Sequence, residues 1–98
     1  IKLSEFTLSE LHRQTLDSNI NLQLADLQGA DLSGATLIGA NLRCALLVKA
    51  NLAQMSLQGA HLVDAMLGHA DLRQANLQNS ILSKVTLTEA IMPDGSVR

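Results

Sequence analysis

Aromatic residues are almost absent: Phe6 is the only one in 98 residues, with no tryptophan and no tyrosine. Globular cores draw much of their buried area from aromatic rings, so this core has to be built from repeated medium-sized aliphatics. Cysteine is nearly absent too. A lone Cys44 excludes an intrachain disulfide and a cysteine-rich zinc site, and an unpaired thiol suits a reducing compartment. No apolar run approaches the roughly 18 residues of a spanning helix. The opening IKLSEFTLSE lacks the charged-then-apolar layout of a signal peptide. The expectation is therefore a cytoplasmic protein without a membrane partner. A net charge of -2 with both signs present supplies neither a basic footprint nor a polyacidic tail, so no direct nucleic-acid binding is expected. The length suits one domain. An isoleucine in place of an initiating methionine points to a chain trimmed or cut from a longer polypeptide.

What the chain does contain is a five-residue beat. From Ile20 onward leucine recurs at 22, 27, 32 and every fifth position to 87, and Met92 closes the series. Fifteen units result, fourteen of them with leucine at the central position. Two residues before it, eleven of fifteen are alanine, the exceptions being Ile20, Met55, Ser80 and Val85. The residue just before it is Asp or Asn in seven units: Asn21, Asp26, Asp31, Asn41, Asn51, Asp71 and Asn76.

Neither regular element explains this period. At about 100° per residue, leucines five apart would spiral around a helix without forming a face. Five is odd, so a straight strand would send alternate leucines to opposite sides. A chain that turns a corner in every unit can aim each leucine and alanine at a common axis, which is the behaviour of a solenoid. Gly29, Gly34, Gly39 and Gly59 sit two residues after a leucine, at such a corner, where glycine takes positive φ readily. Residues 1–19 break the pattern. Thr7 and Glu10 have capping-box spacing, and the segment reads as a short helix from Thr7 to Asp17, with a degenerate first coil as the competing reading.

The units ADLQG, ADLSG, ATLIG, ANLRC, ANLAQ, ADLRQ and ANLQN resemble those of the pentapeptide-repeat proteins, many of them cyanobacterial. The terminal AIMPDGS resembles the ending of many such domains. Periodicity alone requires corners; the number of sides comes from the resemblance. It implies an all-β, right-handed quadrilateral (four-sided) β-helix solenoid of just under four coils. The parts would be a short helical N-terminal cap over residues 1–19, the repeat over 20–94 and a C-terminal tail over 95–98. Residues twenty apart would then lie above one another, and Asp64–Lys84 and His69–Glu89 should be neighbours.

No constellation for chemistry emerges. His12, His61 and His69 read as polar surface positions and not as metal ligands. Cys44 has neither an activating base nor an oxyanion site in the pattern. The glycines lack the strand–loop–helix setting and lysine of a phosphate loop, and the Asp and Asn residues read as local hydrogen-bonding partners instead of calcium ligands. The expectation is a protein with no catalytic residues, no metal and no cofactor.

One outward feature stands apart. Leu46, Val48 and Met66 fall on one side, Val63 on the next, and Ile81 and Ile91 occupy positions where Asp or Asn is typical. Clustered exposed aliphatics mark a contact surface. The ends of a solenoid also expose unpaired edges, and only MPDGSVR follows the last unit. The expected function is thus a rigid protein-interaction module. It would engage an unidentified protein or associate with itself, the C-terminal end being the favoured contact. The alternative implied by the resemblance is DNA mimicry directed at gyrase or another topoisomerase. That demands a long acidic surface. The repeat from Ile20 to Met92 sets five acids (Asp26, Asp31, Asp64, Asp71, Glu89) against four bases (Arg43, Lys49, Arg73, Lys84), which disfavours it.

Overall fold

The structure is a computed structural model and describes residues 19–98. The N-terminal segment expected as a helix over residues 7–17 lies outside the described residues. Within them the backbone forms no extended strand. It makes single parallel bridges instead, each joining a residue to the one twenty further on, such as Asn21–Asn41, Asn41–His61 and His61–Ile81. Four five-residue units therefore separate each residue from the one stacked on it.

The unit Asn41–Ala45 shows how every backbone donor is used. Asn41 N–H donates to the Ile20 carbonyl at 2.8 Å, Leu42 N–H to His61 at 2.8 Å and Cys44 N–H to Val63 at 3.0 Å. Ala45 N–H closes a turn onto the Leu42 carbonyl at 3.1 Å. Arg43 N–H, pointing out of the stack, is met by the Asn41 Oδ1 at 3.2 Å. Five donors find five acceptors, so a unit with Asp or Asn before its leucine leaves no orphaned amide.

The same Asx contact occurs in all seven units that carry Asp or Asn before the leucine. These side chains thus cap the one amide per unit that the stacking leaves over. The unit Ile91-Met92-Pro93 needs no such cap, because Pro93 has no N–H.

The corner is a turn in which only the third residue has positive φ, the pattern of a type II turn. All fourteen corners between Leu24 and Glu89 take φ near +57 to +73, and only four are glycine. The other ten are Leu24, Cys44, Lys49, Gln54, Asp64, His69, Gln74, Asn79, Lys84 and Glu89. Not one is β-branched, although valine, isoleucine and threonine occur at other outward positions. Left-handed backbone costs an L-residue about 1–2 kcal/mol, and β-branching adds to it. Lys49→Val is accordingly expected to lower unfolding free energy in urea by about 1–2 kcal/mol, with Lys49→Gly raising it by up to about 1 kcal/mol.

Eleven of the central leucines, from Leu22 to Leu72, are buried, as are all eleven alanines. The space between the leucine columns amounts to about 10 Å³, lined only by leucine and methionine. That is the lower limit for one water, so the axis is dry and holds no ligand. Met55 fills an alanine position at 1% exposure, and its turn bond to Leu52 lengthens to 3.3 Å, against 3.0 Å at Ala50.

Burial fails at the far end. Leu77 and Leu87 are only partly covered and Leu82 is 37% exposed. Among the described residues no further coil lies over these leucines. The C-terminal residues are also not a free tail. Asp94 and Gly95 turn the chain, with Ser96 N–H and Oγ–H both donating to Asp94 Oδ1. Val97 then pairs antiparallel with Ile91.

Candidate functional site

The outward surface offers two places that depart from the repeat. The first is the column Asp26, Leu46, Met66 and Thr86, whose members bridge one another in succession. Only Asp26 can cap its own unit. The amides of Val48, Gly68 and Thr88, stacked beside this column, have no protein acceptor among the described residues. Met66 is 43% exposed, Leu46 and Val48 are partly exposed, and Gly68 is buried. This side therefore presents aliphatic groups beside amides that the stacking leaves unpaired.

Val63, partly exposed, and Ile81, 43% exposed, belong to the preceding unit column. Ile91 is half-buried and bridges the antiparallel Val97. Leu24, at 66% exposure, and Ile38, at 39%, are further outward aliphatics that pattern reading passed over. Their signal was available, since both fall at polar positions of the unit.

The second place is the C-terminal end, where Leu82 and its neighbours Leu77, Val85 and Leu87 are incompletely covered. Val97, exposed at 66%, belongs to the strap over one part of that end.

The polar groups are engaged locally. His69 Nδ1 lies 3.3 Å from Glu89 Oε2, the neighbour pair expected from the column. The Asp64–Lys84 pair is not formed within ion-pair distance among the described residues; both side chains are exposed, where water competes well. Arg43 Nη2 lies 2.8 Å from His61 Nε2. An arginine can only donate, so this nitrogen accepts and the neutral ring carries its proton on Nδ1. That atom is buried without a partner.

Arg73 makes a two-pronged contact to Asp71, at 2.7 Å and 3.0 Å. This hydrogen bond holds the Asp71 carboxyl below its usual range and raises Arg73. The Ser96 contacts likewise lower Asp94.

A shallow groove of about 470 Å³ runs along one corner past Ala53, Gln54, Arg73, Gln74, Pro93, Asp94 and Gly95. Within it Gln54 donates to Gln74 at 2.9 Å. It contains no nucleophile–base pair. Among the described residues no group of three His, Cys, Asp or Glu side chains could hold a metal, and no helix is long and apolar enough to cross a membrane. What the surface can do chemically is donate backbone hydrogen bonds and bury aliphatic area.

The family model for pentapeptide repeats, eight copies in length, matches residues 18–54, 45–83 and 56–92. No curated protein sequence matches the chain. Solved structures of cyanobacterial pentapeptide-repeat proteins are similar, three among them. The first is alr5209 from Nostoc PCC 7120, 33% identical over 92% of this chain and 79% of its own, with a TM-score of 0.69. HetL, involved in heterocyst differentiation regulation in Nostoc sp. strain PCC 7120, is 39% identical over 83% of this chain with a TM-score of 0.40. This chain spans 42% of HetL's length. Rfr23 from Cyanothece 51142 is 33% identical over 82% of this chain and 58% of its own, with a TM-score of 0.47. The similarity to alr5209, a pentapeptide-repeat protein, implies a right-handed β-helix.

Proposed function

The chain belongs to the pentapeptide-repeat family, and on that premise we propose that it is a non-catalytic protein-interaction module. In this reading the four units between stacked residues form the four sides of a quadrilateral coil, and just under four coils make the tower. The twenty-residue bridge offset and the turn in every unit support the four sides.

The observation that carries the functional reading is the loss of the Asx cap at Leu46 and Met66. Seven units spend the position before the leucine on a carboxylate or amide that satisfies its own backbone. Leu46 and Met66 give that up and place apolar area beside uncapped donors. Such a choice does nothing for the solenoid and favours contact with another surface. In this reading Val48, Val63, Ile81 and Ile91 add to this lateral surface, and the C-terminal end is a second contact point.

Replacing both residues by the repeat's own choices separates stability from function. Leu46→Asn with Met66→Asp should add two Asx bonds, at about 0.5–1.5 kcal/mol each, and raise Tm by several degrees. The same variant, used as bait in affinity capture from the native cells, should lose the partner retained by the unaltered chain. A lowered Tm together with an unchanged set of captured proteins would show that these aliphatics serve packing.

A further inference from the structure

We propose that Arg43 and His61 form a carboxylate-binding subsite, in which an acidic side chain of a partner protein is held between Arg43 Nη2 and His61 Nε2. This rests on the reading as an interaction module for the source of the carboxylate, and it adds one chemical requirement to the partner.

The pair is short of an acceptor. Arg43 Nη2 donates to His61 Nε2 at 2.8 Å, so the neutral ring keeps its proton on Nδ1. That atom is buried and has no partner among the described residues. In the same unit the Val63 N–H finds no acceptor either. His61 occupies the position before the leucine, where seven other units place an Asp or Asn oxygen that takes the N–H two residues on. Nδ1 is bonded to Cγ as that oxygen is, and can replace it only when it carries no proton. With the proton there, one unit holds two unpaired donors, an unfavourable arrangement where water is excluded.

Moving the proton to Nε2 removes both faults. A proton leaves Nδ1 for water and another is taken up at Nε2, so the ring stays neutral. After a turn about χ2, Nδ1 can accept from the Val63 N–H and complete the missing cap. Nε2–H and Arg43 Nη2 are then both donors and no longer bond each other. An acceptor between them holds this state, and a carboxylate offers one oxygen to each.

The other arginine of the repeat shows the finished arrangement. Asp71 Oδ1 takes the Arg73 N–H at 3.0 Å, and the Arg73 guanidinium bonds both carboxylate oxygens, at 2.7 Å and 3.0 Å. In the unit 40–44 Asn41 stands in that place, so the Arg43 amide has its cap but the guanidinium has no counter-charge. Among the described residues no carboxylate lies within ion-pair distance of Arg43, which is exposed. Local charge selects the ligand. The stacked units 20–24, 40–44, 60–64 and 80–84 carry Arg43 and Lys84 against Asp64, and this is the only unit column with more bases than acids. One positive charge in excess suits a carboxylate better than a doubly charged phosphate.

Nitrogen-15 NMR of the histidine rings in the full chain at pH 8, with sodium acetate replacing sodium chloride at constant ionic strength, tests this. Without acetate, His61 Nδ1 should give the protonated signal and Nε2 the unprotonated one. Acetate should exchange the two, with a dissociation constant of about 10–100 mM, and leave the His69 ring unchanged. Arg43→Met should show the Nε2-protonated ring before acetate is added and bind acetate about tenfold more weakly. His61→Asp supplies the carboxylate from the chain itself. Its melting temperature should rise by several degrees, and its Arg43 Nε–H signal should not respond to acetate. An Nε2-protonated ring in the acetate-free chain overturns the proposal. So does a His61 ring blind to acetate, undiminished acetate binding in Arg43→Met, or inorganic phosphate binding about tenfold more tightly than acetate. The acetate response needs neither Leu46 nor Met66, so failure of this site and failure of the lateral contact are read separately.

Discussion

Leu47→Ala should cost the fold about 3–5 kcal/mol, and Leu82→Ala about 1 kcal/mol or less, although both remove the same atoms from the same position of the unit. Leu47 is 1% exposed, between Leu27 and Leu67 in its column, and each of those is also 1% exposed. The coils on either side are fixed by backbone bonds at 2.7–3.0 Å, including Leu27 N–H to the Leu46 carbonyl and Leu47 N–H to the Met66 carbonyl. They cannot close over a void without breaking those bonds, so nearly the whole cavity persists. Leu82 is 37% exposed and leaves a notch that water fills. Urea unfolding of the two variants in dilute solution decides the matter. A cost of the stated size comes close to the whole stability of a domain this small, so Leu47→Ala should show a transition close to zero denaturant. Equal midpoints for the two variants would mean that the leucine columns are not the core.

Ala50→Leu is the complementary case and should destabilise by about 1–3 kcal/mol, whereas Gln54→Leu should change stability by less than about 0.5 kcal/mol. Ala50 is 1% exposed, its carbonyl takes the Asp71 N–H at 3.0 Å and its own N–H closes the turn to Leu47. A γ-branched side chain there has to displace either the neighbouring leucines or that turn. Met55 shows the limit of accommodation: an unbranched chain fits an alanine position at the expense of a turn bond stretched to 3.3 Å, and Val85 stretches its own turn by the same amount. Ala50→Met should therefore lie between the two variants. At Gln54 the side chain points outward from a corner at φ +60, a conformation that Leu24 already adopts at φ +63. Differential scanning calorimetry of the three variants gives the order. A melting temperature for Ala50→Leu equal to that of Gln54→Leu would reverse the inward and outward assignments.

Much of this was legible because a short period leaves few solutions. Leucine every fifth residue excluded a helix and a straight strand, and alanine two residues earlier marked the narrow inward position. The Asp and Asn residues announced local hydrogen bonding, which the Asx contacts bear out. The resemblance of ADLQG and ANLRC to pentapeptide repeats pointed to the family, and residues 18–92 match it.

Other features were less legible. Glycine signalled four corners, but Lys49, Gln54 and Glu89 take the same positive φ without being residues known for it; the avoidance of β-branching at that position is the signal that was present. The exposure of Leu82 could not be read from its column, because leucine there looks the same whether or not a coil lies above it. The strap depends on a turn at Asp94-Gly95 that reverses the chain onto Ile91. A turn signal does not say where the chain lands. Of the six outward aliphatics, Leu46, Val48 and Met66 could be grouped by counting in twenties. That Ile91 pairs with Val97 could not be read from the pattern.

The central claim is a stack of twenty-residue coils whose C-terminal edge is open, and amide hydrogen exchange at three residues of one column tests it most directly. Leu42 N–H donates to the His61 carbonyl at 2.8 Å and Leu62 N–H to Ile81 at 2.9 Å, while Leu82 N–H has no acceptor among the described residues. In dilute monomer the first two should exchange only on global unfolding, and Leu82 should exchange at close to the rate of an unprotected amide. Equal protection at all three, or fast exchange at Leu42 and Leu62, would contradict the account.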